Sequence, residues 1–281
     1  MRLRDLAAGA ERVFAAAGIP AAEARLDAEL LLRHVLGWDR ATWFTRRDEA
    51  ADGDVDGRFA PLVARRAARE PVAYLRGTQA FYGRDFAVGP GVLIPRPETE
   101  LVVEEGLAAI AALAEPRVLD IGTGSGCLAV TFALERPAAR IWATDVSPAA
   151  LDWARRNADH FGVASRVTPV LAAGTGDLAG PFDLIVSNPP YVREEDRDAL
   201  QPEVARHEPA SALFAGADGL DVVRALAPEG WEVLTPGGTL VMEIGIGQAA
   251  EVRRVLGAAG FAAVRVRDDL QGIPRVVVTR R

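Results

Sequence analysis

The stretch RVLDIGTGSGCLAV (residues 117–130) decides the fold. It begins as a short strand-like run carrying Val118, Leu119 and Ile121. It passes through Gly122-Thr123-Gly124-Ser125-Gly126 and continues as an apolar helical run. Glycines let a backbone turn sharply and come close to a ligand, and the helix that follows presents free N–H groups at its start. The dinucleotide fingerprint G-x-G-x-x-G/A does not fit, because the third glycine falls one residue early and Cys127 holds the sixth position. A Walker phosphate loop is excluded as well, since it requires a lysine and the sequence contains none. Asp145 ends the next predicted strand, RIWATDVS (140–147), a place where a carboxylate can accept both hydroxyls of a ribose.

Outward from this stretch, strands and helices alternate from Pro116 onward. The predicted strands are Arg117–Ile121, Arg140–Asp145, Val167–Leu171, Phe182–Ser187, Thr239–Ile244, Val264–Val266 and Arg275–Thr279, with helices expected between the first five. Such alternation gives an α/β fold, a mostly parallel sheet covered on both faces. The last two strands leave no room for a crossover helix and are expected to form an antiparallel edge. Toward the N-terminus, residues 1–75 read as helices, with Leu3, Leu6, Ala10, Val13 and Phe14 recurring at helical spacing. Residues 76–97, rich in Gly, Pro and aromatics, read as a β-hairpin linker, which leaves 98–281 as the α/β domain. So short a helical piece makes a small core and is expected to dock on something.

The fourth predicted strand ends in PFDLIVSNPPYV (181–192). Two consecutive prolines cannot continue a ladder, so the chain leaves the sheet at Asn188-Pro189-Pro190-Tyr191. It leaves at the carboxyl edge, where open α/β sheets bind ligands. Asn188 offers an amide oxygen and an NH₂, Pro189 an unpaired carbonyl, and Tyr191 an aromatic face. Two acceptors and a flat ring suit a planar –NH₂ group: Asn188 Oδ1 and the Pro189 carbonyl each accept one of its N–H bonds. Tyr191 packs on the plane and favours a nearby cation.

Composition sets the bounds. The 281 residues carry a net charge of −7, and all 32 basic residues are arginine, so lysine Schiff-base chemistry is excluded. The acidic balance argues against tight binding to a long polyanion. One cysteine excludes an internal disulfide framework and fits a reducing compartment. No signal peptide or membrane-length apolar run is found, and a soluble, cytoplasmic protein is expected. DGDVDG (52–57) imitates the start of a calcium loop, but Val63 stands where the bidentate glutamate is needed, so no metal is expected.

The G-x-G-x-G loop after Asp120 resembles the adenosylmethionine loop of class I (Rossmann-like) methyltransferases, and its combination with NPPY resembles amino-group N-methyltransferases. More specifically, PVAYLRGTQAFYGRDFAVGPGVLIPRPETELVVE (71–104), DIGTGSG, SNPPY, VMEIGIGQ (241–248) and DLQGIPR (269–275) resemble the HemK/PrmC family of release-factor glutamine methyltransferases. LIPRPETE (93–100) discriminates most, because NPPY is shared with other methyltransferases. The resemblance covers essentially the whole chain. It implies a seven-stranded class I methyltransferase sheet and S-adenosyl-L-methionine as cofactor. It also implies methylation of N5 of the glutamine in the GGQ motif of class I peptide-release factors, with no stable nucleic-acid binding and no membrane. Carried onto this sequence, Gly122, Thr123, Gly124, Ser125 and Gly126 hold the methionine moiety and Asp145 the ribose. Asn188, Pro189, Pro190 and Tyr191 hold the substrate amide; Asn188, Pro189 and Tyr191 are the candidate catalytic residues, and Asn188 also borders the cofactor. The helical domain grips the release factor. The family's acidic and aromatic adenine contacts correspond here to Ala172 and Ala173, so Ala173 is the candidate adenine contact in a rebuilt loop. Arg96 and Glu98 at the substrate entrance, and Glu243 at the end of the fifth strand, are further candidates. Cys127 is expected to be a packing residue.

Overall fold

A computed structural model describes residues 1–281. Five helices open the chain: α1 (Leu3–Ala16), α2 (Ala21–Leu36), α3 (Arg40–Arg46), α4 (Val55–Ala67) and α5 (Val72–Arg76). A two-stranded hairpin, β1 (Thr78–Phe81) and β2 (Arg84–Ala87), precedes α6 (Glu100–Ala109). Then come β3 (Arg117–Ile121), α7 (Cys127–Glu135), β4 (Arg140–Asp145), α8 (Pro148–His160), β5 (Val167–Leu171) and β6 (Phe182–Ser187). The chain finishes with α9 (Pro202–His207), α10 (Asp221–Val233), β7 (Leu234–Glu243), α11 (Ala249–Ala258), β8 (Ala262–Asp268) and β9 (Pro274–Arg280).

These elements form two compact units, Met1–Thr78 with Gln201–His207, and Gln79–Leu200 with Glu208–Arg281. In the helical unit, Leu3, Leu6, Ala10 and Phe14 line one face of α1 and bury against Leu31 and Leu32 of α2, Trp43 and Phe59. Gly37, in the left-handed region, closes α2, and the Asp39 carboxylate caps α3 by accepting from Thr42 N at 2.7 Å.

Segment 201–207 joins this unit through a buried ion cluster that sequence reading did not foresee. Arg66, 1% exposed, donates to Glu203 (2.6 Å) on α9, Asp27 (2.7 Å) on α2, and Glu23 (2.9 Å). Arg69 donates to the other Glu203 oxygen at 2.8 Å. Burial pushes the Asp27 carboxyl up against the pull of one guanidinium. Glu203, although burial opposes it, is held below the usual carboxylate range by hydrogen bonds from Arg69 and Arg66.

The second unit holds the seven-stranded sheet, in the order β5-β4-β3-β6-β7-β9-β8; β5 through β7 run parallel and β9 and β8 antiparallel, as the sequence predicts. Alternate residues face opposite sides. Val118, Leu184, Val186 and Val241 pack with α6 and α7 residues such as Val102 and Phe132, whereas Leu119, Ile185 and Met242 pack with Leu226 of α10 and Leu256 of α11. Three details differ from expectation, the first being that β8 spans Ala262–Asp268 rather than Val264–Val266. No helix lies between β5 and β6, where Gly174 and Gly176 both take φ +55° and interrupt any helical run. Strand β7 starts at Leu234 rather than Thr239, because Leu234 pairs with Phe182 across an irregularity.

Strand order reverses between β3 and β6. The crevice at their carboxyl ends is the topological switch point, and both the glycine loop and NPPY leave the sheet there.

Candidate active site

The glycine loop is hooked onto the neighbouring strand. Gly122 N and Thr123 N both donate to the Thr144 carbonyl at 2.9 Å, and Gly124 N donates to Asp145 Oδ2 at 2.9 Å. The second Asp145 oxygen accepts from Ser147 N at 2.9 Å, so the carboxylate is held in place with lone pairs to spare. Gly122 and Gly124 (φ +73° and +55°) line the cleft, and a Cβ at either would meet no protein atom; the floor is open because these side chains are absent. Gly126 serves packing instead, since a Cβ there would lie 2.9 Å from the Ala154 Cα of α8. Beneath the loop, the wholly buried Asp120 accepts from Thr123 Oγ1 (2.6 Å) and Ala129 N (3.1 Å), tying the turn to α7. The Cys127 thiol is buried and pushed up to about 12, first by burial, which leaves it an inert packing residue.

The cleft is open to solvent and is bounded by Leu93, Gly122, Asp145, Ala172, Asn188 and Pro189 among others. Thr123, Ser125 and Gly126 stand behind its wall rather than in it. Ala173 is exposed and does not line the cleft; its neighbours Ala172 and Gly174 do. The positive φ of Gly174 turns the loop there, and Thr175 N donates to Glu229 Oε2 at 3.0 Å, so the inward positions fall one residue to either side.

At the other wall, Ser187 Oγ donates to the Ile121 carbonyl at 2.8 Å, joining the ends of β6 and β3. Asn188 follows. Its Nδ2 donates to Thr99 Oγ1 at 3.0 Å, while its Oδ1 is buried without a partner. Buried polar atoms normally find partners, so such an oxygen is a vacant acceptor. No donor of the chain occupies the Pro189 carbonyl. Pro190 also lines the cleft, but Tyr191 does not. Its hydroxyl donates to Glu243 Oε1 at 3.3 Å, and burial followed by the Glu243 charge pushes its pKa up. Tyr191 instead lines a second, open pocket with Arg193, Gln248 and Arg275.

Several supports were missed in the sequence. Gln248 donates to the Tyr191 carbonyl (3.1 Å) and accepts from Gly245 N (2.9 Å), which explains VMEIGIGQ. Glu208 accepts from Ile94 N (3.1 Å) and Arg96 Nη2 (2.5 Å), so Arg96 anchors the LIPRP loop rather than standing free at an entrance; Glu98 does not line the cleft either. Asn157 binds Ala87 N and O and the Ser125 carbonyl, at 2.8, 2.9 and 2.8 Å, fastening β2 to the glycine loop. Gln248 and Thr99 lay inside quoted motifs; nothing marked Asn157.

Two buried carboxyls sit behind the cleft, Asp120 and Glu243, each raised by burial to about 7. A raised carboxyl favours the fold most fully below its unfolded value and loses that contribution as pH rises through its folded value. For Glu243 the window runs from 4.5 to about 7. Between about pH 5 and about pH 8 the wild type is therefore expected to lose more stability than Glu243→Gln, by about 1 kcal/mol per pH unit up to neutrality. Urea denaturation at both ends checks this, and parallel slopes would refute it.

Comparison with known proteins places this geometry. Residues 5–77 match the PrmC N-terminal domain, and residues 99–209 match the Methyltransferase small domain. The release factor glutamine methyltransferase of Cereibacter sphaeroides is 45% identical over 282 residues, covering 100% of this chain and 99% of that protein. That of Burkholderia pseudomallei is 46% identical over 256 residues, covering 89% and 90%. Among solved structures, a methyltransferase from Pyrococcus furiosus superposes with a TM-score of 0.50 at 18% identity, over 79% of this chain and 98% of that one. The hMettl16 catalytic domain in complex with MAT2A 3'UTR hairpin 6 gives 0.54 at 15%, over 85% and 95%. At such identities the likeness is one of fold. Sheet order, open glycine floor and a carboxylate at the end of β4 define a class I methyltransferase that uses S-adenosyl-L-methionine. Within that class, the chain belongs to the family of release factor glutamine methyltransferases. No helix is long and apolar enough to cross a membrane.

Proposed function

We infer that this protein transfers the methyl group of S-adenosyl-L-methionine to N5 of the glutamine in the GGQ motif of class I peptide-release factors. The observation that carries this reading is the buried, unpartnered Asn188 Oδ1 at the edge of the cleft. A glutamine side chain ends in –NH₂, which is what a vacant acceptor beside a second free carbonyl receives. Bound in the cleft, S-adenosyl-L-methionine would supply an electrophilic methyl on a sulfonium, the neutral thioether leaving as the amide nitrogen takes the methyl and one amide proton passes to solvent. Asn188 Oδ1 and the Pro189 carbonyl accept the two amide N–H bonds and fix the plane of the nitrogen. Amide resonance leaves that nitrogen a poor nucleophile, so orientation is the main contribution these residues make. Gly122 through Gly126 form the bed for the methionine end, with Gly122 and Gly124 as its surface; Asp145 receives the ribose hydroxyls. Ala172 and Gly174, in place of Ala173, border the adenine. We assign the helical unit to gripping the release factor, a role in which the enzyme works in the cytoplasm without stable nucleic-acid binding.

Asp145→Ala is expected to weaken cofactor binding by about 10–100-fold, the worth of hydrogen bonds to a charged group, with calorimetry as the measurement. Unchanged affinity would remove Asp145 from the ribose site. Incubation with methyl-labelled cofactor and either release factor, DNA or RNA tests the substrate class. Label is expected in the release factor, and label confined to nucleic acid contradicts the reading.

A further inference from the structure

The segment LIPRPETE contributes one residue, Thr99, to the support of Asn188. Thr99 ends the single turn Pro97–Thr99 ahead of α6 and is buried. Its hydroxyl donates to Glu243 Oε2 at 2.6 Å and accepts from Asn188 Nδ2 at 3.0 Å. Glu243 ends β7, the strand beside the one that delivers Asn188, and its other oxygen receives the Tyr191 hydroxyl at 3.3 Å. One buried carboxylate therefore governs both ends of the NPPY turn.

The direction of these bonds follows from proton count. An ionised carboxylate only accepts, and a threonine hydroxyl has a single proton. With that proton committed to Glu243, Thr99 shows only lone pairs to Asn188. The Asn188 amide must then turn its NH₂ toward Thr99, and its oxygen is left facing away, unpartnered. The amide turned over would have nearly the same shape but the opposite message: it would meet an incoming –NH₂ donor with another donor.

We propose that Thr99 and Glu243 are positioning residues that lock the Asn188 amide with its oxygen outward, and so restrict the site to acceptors carrying N–H. The proposal deepens, and rests on, the assignment of the acceptor amide to Asn188. Glu243→Gln keeps the shape but introduces an NH₂ that can donate to Thr99. The Thr99 proton is then free to turn toward Asn188 and release the lock. Thr99→Val removes the relay, whereas Thr99→Ser retains it.

The test is made at pH 8.5, with Glu243 ionised, on the full-length protein with a release factor as acceptor. Glu243→Gln and Thr99→Val are expected to lower kcat by about 100-fold, the scale of a misplaced reacting group, with KM for the release factor and cofactor affinity changing by about threefold or less. Thr99→Ser is expected to stay within about threefold of wild type. Wild-type kcat in Glu243→Gln overturns the proposal. A second reading needs no turnover. The chain has only two asparagines, Asn157 and Asn188, so ¹⁵N-asparagine labelling gives two side-chain NH₂ pairs. The Asn188 pair is expected to exchange slowly with solvent in wild type and to shift and exchange faster in Glu243→Gln, with the Asn157 pair unmoved. An Asn188 pair that is unprotected in wild type, or identical in the variant, also overturns it. Should the wild type leave release factor unmethylated while the Asn188 pair behaves as expected, the substrate reading falls and the lock stands.

Discussion

Replacing Asn188 with alanine slows methyl transfer by about 10²–10³-fold, the range found when one preorganised polar group is withdrawn from a reacting centre. The loss falls mainly on kcat. The Asn188 amide is one of two acceptors that aim the substrate nitrogen, and without it the bound amide swings through orientations that do not face the methyl donor. The fold should survive. The Asn188 side chain makes one hydrogen bond within the chain, to Thr99, which keeps its stronger bond to Glu243 at 2.6 Å. Single-turnover measurements with labelled cofactor separate chemistry from binding, and circular dichroism confirms the fold. Near-normal turnover in this variant contradicts the role given to Asn188.

The second large effect concerns stability. Arg66→Met is expected to cost about 3–5 kcal/mol, because removing one partner from a buried ion cluster strands the others. Asp27 and Glu203 are both nearly out of contact with water, and Arg66 is the guanidinium they share; Glu23, more exposed, loses less. Arg69 still serves Glu203, but no other cation hydrogen-bonds Asp27. Asp27, already raised by burial, should take up a proton in the variant, so the loss shrinks as pH is lowered toward 5. Urea denaturation followed by circular dichroism measures the loss, and trypsin should cut sooner at Arg206, within the segment that Arg66 holds. A variant as stable as wild type would show the cluster to be incidental.

The sheet was readable because its signals are local. Strands β3, β4 and β6 are short runs that stop at Gly122, Asp145 and Asn188-Pro189, and the glycine loop and NPPY are each contiguous in sequence. Knowing only that both follow parallel strands sufficed to bring them to one edge. What escaped reading depends on pairs far apart in the chain. Arg66 and Glu203 are 137 positions apart, Thr99 and Glu243 are 144, and neither partner is unusual alone. The aim of side chains was hidden for the same reason. Tyr191 turns from the cleft because Glu243 takes its hydroxyl, and the loop after β5 presents Ala172 rather than Ala173 because Gly174 adopts positive φ. The acidic balance, which argued against nucleic acid, turns out partly to be spent inside the molecule: Asp27, Asp120, Glu203, Glu208 and Glu243 are all buried.

Peptide mass spectrometry of a class I release factor, after incubation with this protein and S-adenosyl-L-methionine, tests the central claim most directly. The predicted result is a gain of one methylene mass on the peptide containing GGQ, with fragment ions placing it on the glutamine side chain, and no such gain with Asn188→Ala. An unmodified glutamine, or methylation at another residue that persists in Asn188→Ala, would contradict the account.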